Sequence, residues 1–85
     1  MTKRKSIKKS DKAFEIFLMQ VGEKMKKNRV AKGYSSYEQF AYDHEIGRAQ
    51  YGKYERGTED LRLSSLYKIL NSMGLTFEEF FKGIR

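Results

Sequence analysis

The 85-residue chain contains no cysteine, no proline and a single histidine. Without cysteine there can be neither a disulfide framework nor a thiolate metal site. His44 has no second histidine to complete a site, so it reads as a structural ring. The absence of proline and the 39% hydrophobic content suit a compact helical bundle. No apolar run reaches the roughly 18 residues a membrane span needs. The basic start MTKRKSIKKSDK leads into no apolar stretch with a small-residue cleavage site, so no signal peptide is expected and a cytoplasmic location is. There is no glycine-rich phosphate loop and no nucleophile elbow. The acidic pairs Glu59-Asp60 and Glu78-Glu79 are adjacent in sequence and form no converging dyad; loop solvation and helix N-terminal charge explain them. Neither an enzyme nor a cofactor is expected.

What is present is positive charge, unevenly spread. The formal net charge is +7, and residues 1–12 carry six Lys or Arg, including Lys3, Arg4 and Lys5, against Asp11. Such a tail is either a solvated appendage or an arm that lies along a polyanion. A second cluster, Lys24, Lys26, Lys27, Arg29 and Lys32, favours nucleic acid as the partner.

From Ala13 onward the chain reads as one small domain, residues 13–85, with one modest core. Phe14, Phe17, Leu18, Val21 and Met25 recur at helical steps, and Gly33 is a natural stop. Ser36-Tyr37-Glu38-Gln39 fits a capping box that opens a short helix carrying Phe40 and Ala41. A turn at Glu45 and Ile46 precedes a third helix in GRAQYGKYERG, residues 47–57, with Gly47 as N-cap and Gly57 as stop. A fourth helix, from about Ser64 to Met73, has Leu66, Ile69, Leu70 and Met73 as its buried stripe. Thr76 caps a fifth, TFEEFFKG. The expected fold is all-α, a compact five-helix bundle with a basic N-terminal tail.

Two short helices joined by a tight turn, the second bearing donors on its outer face, have helix-turn-helix geometry. Ala41 supplies the small residue at their crossing, and Phe40, Ile46, Tyr51 and Tyr54 hold the angle. On the third helix Gly47, Ala49 and Gly52 are expected to keep the backbone close to DNA, thin enough to enter a major groove about 12 Å wide. Arg48, Gln50 and Lys53 between them can donate to base edges, while Arg56, at the far end, reaches the backbone. Tyr34, Tyr37 and Tyr42 either donate hydroxyls to phosphates or pack on the surface. Phe77, Phe80, Phe81 and Ile84 are more apolar surface than so small a domain can bury, and a surplus there suits a two-fold dimer contact through the C-terminal helix.

Residues 21–81 resemble the phage repressor and Cro-type helix-turn-helix family, the XRE family. The features that carry the resemblance are VGEKMKKNR, EQFA, the Ile46–Gly57 segment closing on Glu-Arg-Gly, and LYKILNSMGLTFEEFF, in that order and spacing. The resemblance implies a five-helix domain of the lambda-repressor-like DNA-binding type. It implies a recognition helix from about Gly47 to Glu55, in which Arg48, Ala49, Gln50 and Lys53 are the base-reading candidates. It implies a phosphate contact at the start of helix two, falling here to Ser36 or Tyr37. Gly47 and Arg56, from their places on the third helix, and the tail residues Lys3, Arg4 and Lys5, from their charge and outside the resemblance, are further phosphate candidates. The resemblance also implies a structural salt bridge between Arg29 and Glu55. The chain departs from the family pattern in a longer loop before helix two, in Glu45 where the turn commonly has glycine, and in His44 where an apolar residue is usual. The implied function is sequence-specific binding of double-stranded DNA as a transcriptional regulator, more often by repression. No membrane and no small-molecule effector is expected. The alternative is an antitoxin-like or other protein-interaction module on the same fold.

Overall fold

The computed structural model describes residues 11–84. It is all-helical: α1 (Lys12–Ala31), α2 (Tyr37–Asp43), α3 (Arg48–Arg56), α4 (Leu63–Met73) and α5 (Phe77–Phe81). No helix among the described residues is long and apolar enough to cross a membrane. Several helix ends have a local cause. The Asp11 carboxylate accepts from Phe14 N at 3.2 Å and opens α1. Gly57 and Gly74, with φ of 72° and 73°, take the left-handed conformation that closes α3 and α4. Thr76 forms a reciprocal capping box with Glu79, in which Glu79 N donates to Thr76 Oγ1 at 3.1 Å and Thr76 N donates to Glu79 Oε1 at 2.9 Å. The box expected at Ser36 forms in one direction only. Gln39 N donates to Ser36 Oγ at 3.2 Å, but the Gln39 amide donates to Asp43 Oδ1 at 2.8 Å, one turn on, instead of reaching back.

The core follows the helical periodicity. Leu18, Val21 and Met25 of α1, Phe40 and Ala41 of α2, Tyr51 and Tyr54 of α3, Leu66, Ile69, Leu70 and Met73 of α4, and Phe80 of α5 are buried. Helix α3 packs against both α1 and α2. At its contact with α1 the spacing is set by Gly22, where an added Cβ would lie 2.3 Å from Glu55 O and 2.6 Å from Tyr54 O. The α5 apolar residues divide: Phe80 is fully buried, Phe81 and Ile84 are half-buried, and Phe77 is exposed. Their rings extend a row across the surface, Tyr67, Phe77, Phe81, Phe17 and Phe14, with successive centroids 6.2–6.5 Å apart.

The turn between α2 and α3 carries the one positive-φ non-glycine residue described, Glu45 at 58°. A side chain there costs about 1–2 kcal/mol. The turn is held all the same: Ile46 N donates to Ala41 O at 2.8 Å, and Lys68 Nζ of α4 donates to Glu45 O at 2.9 Å. His44, which closes α2, is half-buried with its ring 4.6 Å from that of Phe40 and 5.9 Å from that of Tyr34. Glu45→Gly therefore removes strain while adding unfolded-chain entropy, and the net expectation is a stabilisation of up to ~1 kcal/mol. At that size the melting temperature rises by roughly 4–8 °C. A melting temperature equal to or below the parent's would show that the strain at Glu45 does not exceed the entropy that glycine adds to the unfolded chain.

Candidate nucleic-acid interface

Helix α3 advances roughly 100° per residue, so its nine residues divide into two sides. Tyr51, Gly52 and Tyr54 are buried. Arg48, Ala49, Gln50, Lys53 and Arg56 are exposed, as is Gly47 at the N-cap. Ala49 and Lys53, one turn apart, form the middle of the outer face; Gln50 lies on one flank and Arg56 on the other. By the same rotation Arg48 falls beside Gly52, at the border of the outer face, and is exposed there. Among the described residues none of the side chains of Arg48, Gln50, Lys53 and Arg56 makes a hydrogen bond or ion pair. The exposed side of α3 thus offers three positively charged donors and the Gln50 amide, which both donates and accepts, and no acid.

The only acidic residue of α3 is turned inward. Glu55 receives Arg29 Nε at 2.8 Å on one oxygen and Arg29 Nη2 at 3.0 Å on the other, a bidentate ion pair whose side chains are 4% and 8% exposed. The third guanidinium bond goes from Nη1 to the carbonyl of Tyr34 at 2.7 Å. One arginine of α1 thereby fixes the end of α3 and the loop that leads into α2. The Glu55 carboxylate holds the Arg29 guanidinium yet more firmly protonated. The Tyr51 hydroxyl is buried beside this pair, without an aligned hydrogen-bond partner among the described residues. Burial, and then the Glu55 carboxylate, push its pKa far above the usual phenol value.

At the start of α2, Ser36 is exposed with its Oγ already accepting from Gln39 N, and Tyr37 is half-buried. Tyr34 is spent within the fold, since its hydroxyl donates to Asp43 Oδ2 at 2.9 Å, and that bond raises the phenol pKa. Tyr42 is 72% exposed. Lys3, Arg4 and Lys5 lie outside the described residues. Gly52 requires a correction. It does not bare the α3 backbone toward a groove; it is buried, and an added Cβ would lie 2.8 Å from Tyr37 Cε1. The outer face is kept thin by Gly47 and Ala49 alone. Two contacts escaped the sequence reading: Gly22 against the carbonyls of α3, and Tyr37 over Gly52. A glycine in a helix interior was the available signal in both cases, because it weakens the helix unless a neighbour needs the space.

Helix α2, the turn at Glu45 and Ile46, and helix α3 with its donors facing outward make a helix-turn-helix unit within a five-helix domain. Over 62 residues the chain is 40% identical to YonR, an SPbeta prophage-derived uncharacterized HTH-type transcriptional regulator of Bacillus subtilis (strain 168). That match takes in 73% of this chain and 56% of YonR, so the chain spans little more than half of that relative's length. Over 63 residues it is 36% identical to the control protein C.MunI of Mycoplasma sp, a match covering 74% of this chain and 85% of C.MunI. No protein-family profile matches the chain, and no solved structure matches it. The chain belongs to the family of helix-turn-helix transcriptional regulators.

Proposed function

We propose that the chain is a sequence-specific regulator of transcription in the cytoplasm that inserts α3 into the major groove of double-stranded DNA and represses by occupying an operator. The observation that carries this reading is the sorting of charge on α3. Its one acid is neutralised inside the fold by Arg29, and Arg48, Gln50, Lys53 and Arg56 point outward without partners among the described residues. A merely solvated helix gains nothing from such sorting, whereas a surface facing phosphates and guanine edges needs it. Arg48, Gln50 and Lys53 are the base readers, with Ala49 leaving room for a thymine methyl; Ser36, Tyr37, Gly47 and Arg56 flank them at the phosphates, and the basic tail adds further phosphate contacts. Repression needs only occlusion. The exposed aromatic row from Tyr67 through Phe77 to Phe81 is where a second copy would pack, so that two α3 helices reach half-sites about 34 Å apart.

Selection of bound duplexes from a random pool tests this. The expected outcome is one enriched motif, an inverted repeat if the protein acts as a dimer, with affinity that falls steeply as salt rises. Recovery of a salt-insensitive protein partner in place of any enriched duplex would move the chain to the protein-interaction class. On the selected site, Arg48→Ala is expected to cost about 1–3 kcal/mol and to relax preference at one base position. An even loss across all sequences, with a salt slope smaller by about one unit, would reassign Arg48 to a phosphate.

A further inference from the structure

Tyr37 and Gly52 are each unfavourable alone and fit only together. A glycine in the middle of a nine-residue helix weakens it. A tyrosine as the first residue of α2 could have its ring in solvent. Instead, the ring lies across the α3 backbone: a Cβ on Gly52 would be 2.8 Å from Cε1, 3.0 Å from Cζ and 3.1 Å from Oη of Tyr37. The hydroxyl-bearing edge of the phenol therefore occupies the volume a side chain at position 52 would fill. The same ring stands 6.4 Å from that of Tyr51, which in turn stands 5.3 Å from Phe40, so Tyr37 ends a series of rings reaching into the core. The contact falls at the edge of the outer face, since Arg48 and Arg56 lie one turn to either side of Gly52.

We infer that Tyr37 is a positioning residue that sets specificity: by seating on Gly52 it fixes the rotation of α3 against the start of α2, and so decides which outward side chains of α3 face the bases. This rests on the reading of α3 as the DNA-reading helix. The phenol ring is the working part, through its shape, because a ring wedged on a bare backbone resists rotation in both directions. Rotation matters because side chains on α3 are about 100° apart, so a modest turn moves Gln50 or Lys53 from one base edge toward the next.

The test compares the affinity of the parent and four variants for the selected duplex and for an unrelated duplex, with circular dichroism to follow folding. Gly52→Ala is expected to reduce the ratio of the two affinities by about tenfold or more, the worth of one base contact. Gly52→Ala combined with Tyr37→Leu, which trades the ring edge for the added methyl, is expected to recover much of that ratio. Tyr37→Leu alone leaves space above Gly52 and should fold yet discriminate poorly, which keeps the test decisive even where Gly52→Ala does not fold. Tyr37→Phe keeps the ring and should keep the parent's ratio of the two affinities, since loss of a hydroxyl–phosphate contact would lower both alike. Equal discrimination by Tyr37→Leu and the parent would overturn the inference. So would a Tyr37→Phe variant as impaired as Tyr37→Leu, because the hydroxyl would then be the working part. A parent that does not distinguish the two duplexes would overturn the functional reading itself, an outcome separate from either of these.

Discussion

Arg29→Ala is expected to cost about 3–5 kcal/mol of folding stability, the range for breaking a buried pair by removing one partner. The size follows from what is left behind. Glu55 is left at a site where its side chain is 8% exposed, with both oxygens stripped of their donors. The Tyr34 carbonyl loses its donor as well. A domain of this length has of order 5–10 kcal/mol in total, so the variant approaches unfolding. Glu55→Gln should lose less, because the amide oxygen can still accept one guanidinium bond while the positive charge stays uncompensated. Urea denaturation followed by helical circular dichroism gives both values. A loss under ~1 kcal/mol for Arg29→Ala would place the pair with solvent-screened surface bridges and remove it as the element that fixes α3.

The second large effect is expected at Gly22. Alanine is the better helix former by about 1 kcal/mol, and on a free helix the substitution would stabilise. Here its methyl would meet the carbonyl oxygens of Tyr54 and Glu55 at 2.6 and 2.3 Å, and those atoms are backbone, with no rotamer to relax into. Helix α1 must lift away from α3, which strains the neighbouring Arg29–Glu55 geometry too. Overpacking costs typically ~1–3 kcal/mol, and backbone against backbone belongs at or beyond the upper end. The net expectation is a loss of about 2 kcal/mol or more, a fall in melting temperature of roughly 8–16 °C. At Gly47, by contrast, an added Cβ meets only Gln50 Cβ at 3.7 Å, so the same change there should leave the fold intact. A Gly22→Ala protein that melts at or above the parent temperature would show that the two helices are not in close contact.

The contrast between these glycines marks where the sequence is informative. Helical spacing identifies the buried stripe of α4 as Leu66, Ile69, Leu70 and Met73, because a residue's side of a helix depends only on its position in the repeat. Gly57 and Gly74 end helices through a conformation that belongs to the residue itself. Gly52 sits at the border between the inner and outer faces, where periodicity assigns neither side. What decided it was the Tyr37 ring, fifteen positions away in sequence, and that ring can reach Gly52 only through the crossing angle of α2 on α3. Gly22 is hidden for the same reason: closeness between two backbones leaves no pattern in either segment. The Ser36 box failed in its second half because Gln39 had a nearer partner in Asp43. In the interface, the donors of α3 were legible as residue types. Their lack of an acidic partner on α3 itself was not, since it depends on Glu55 turning inward to Arg29.

The outward side of α3 is proposed to meet DNA. Amide chemical shifts of isotopically labelled protein, recorded as the selected duplex is added at moderate salt, address it residue by residue. The largest changes are expected at the backbone amides of residues 47–53 and at the Gln50 side chain, with smaller ones at Ser36 and Tyr37, while the amides in the middle of α4 hold still. Changes concentrated on the lysine-bearing outer side of α1 or on α5, with Ala49 and Lys53 unmoved, would contradict it.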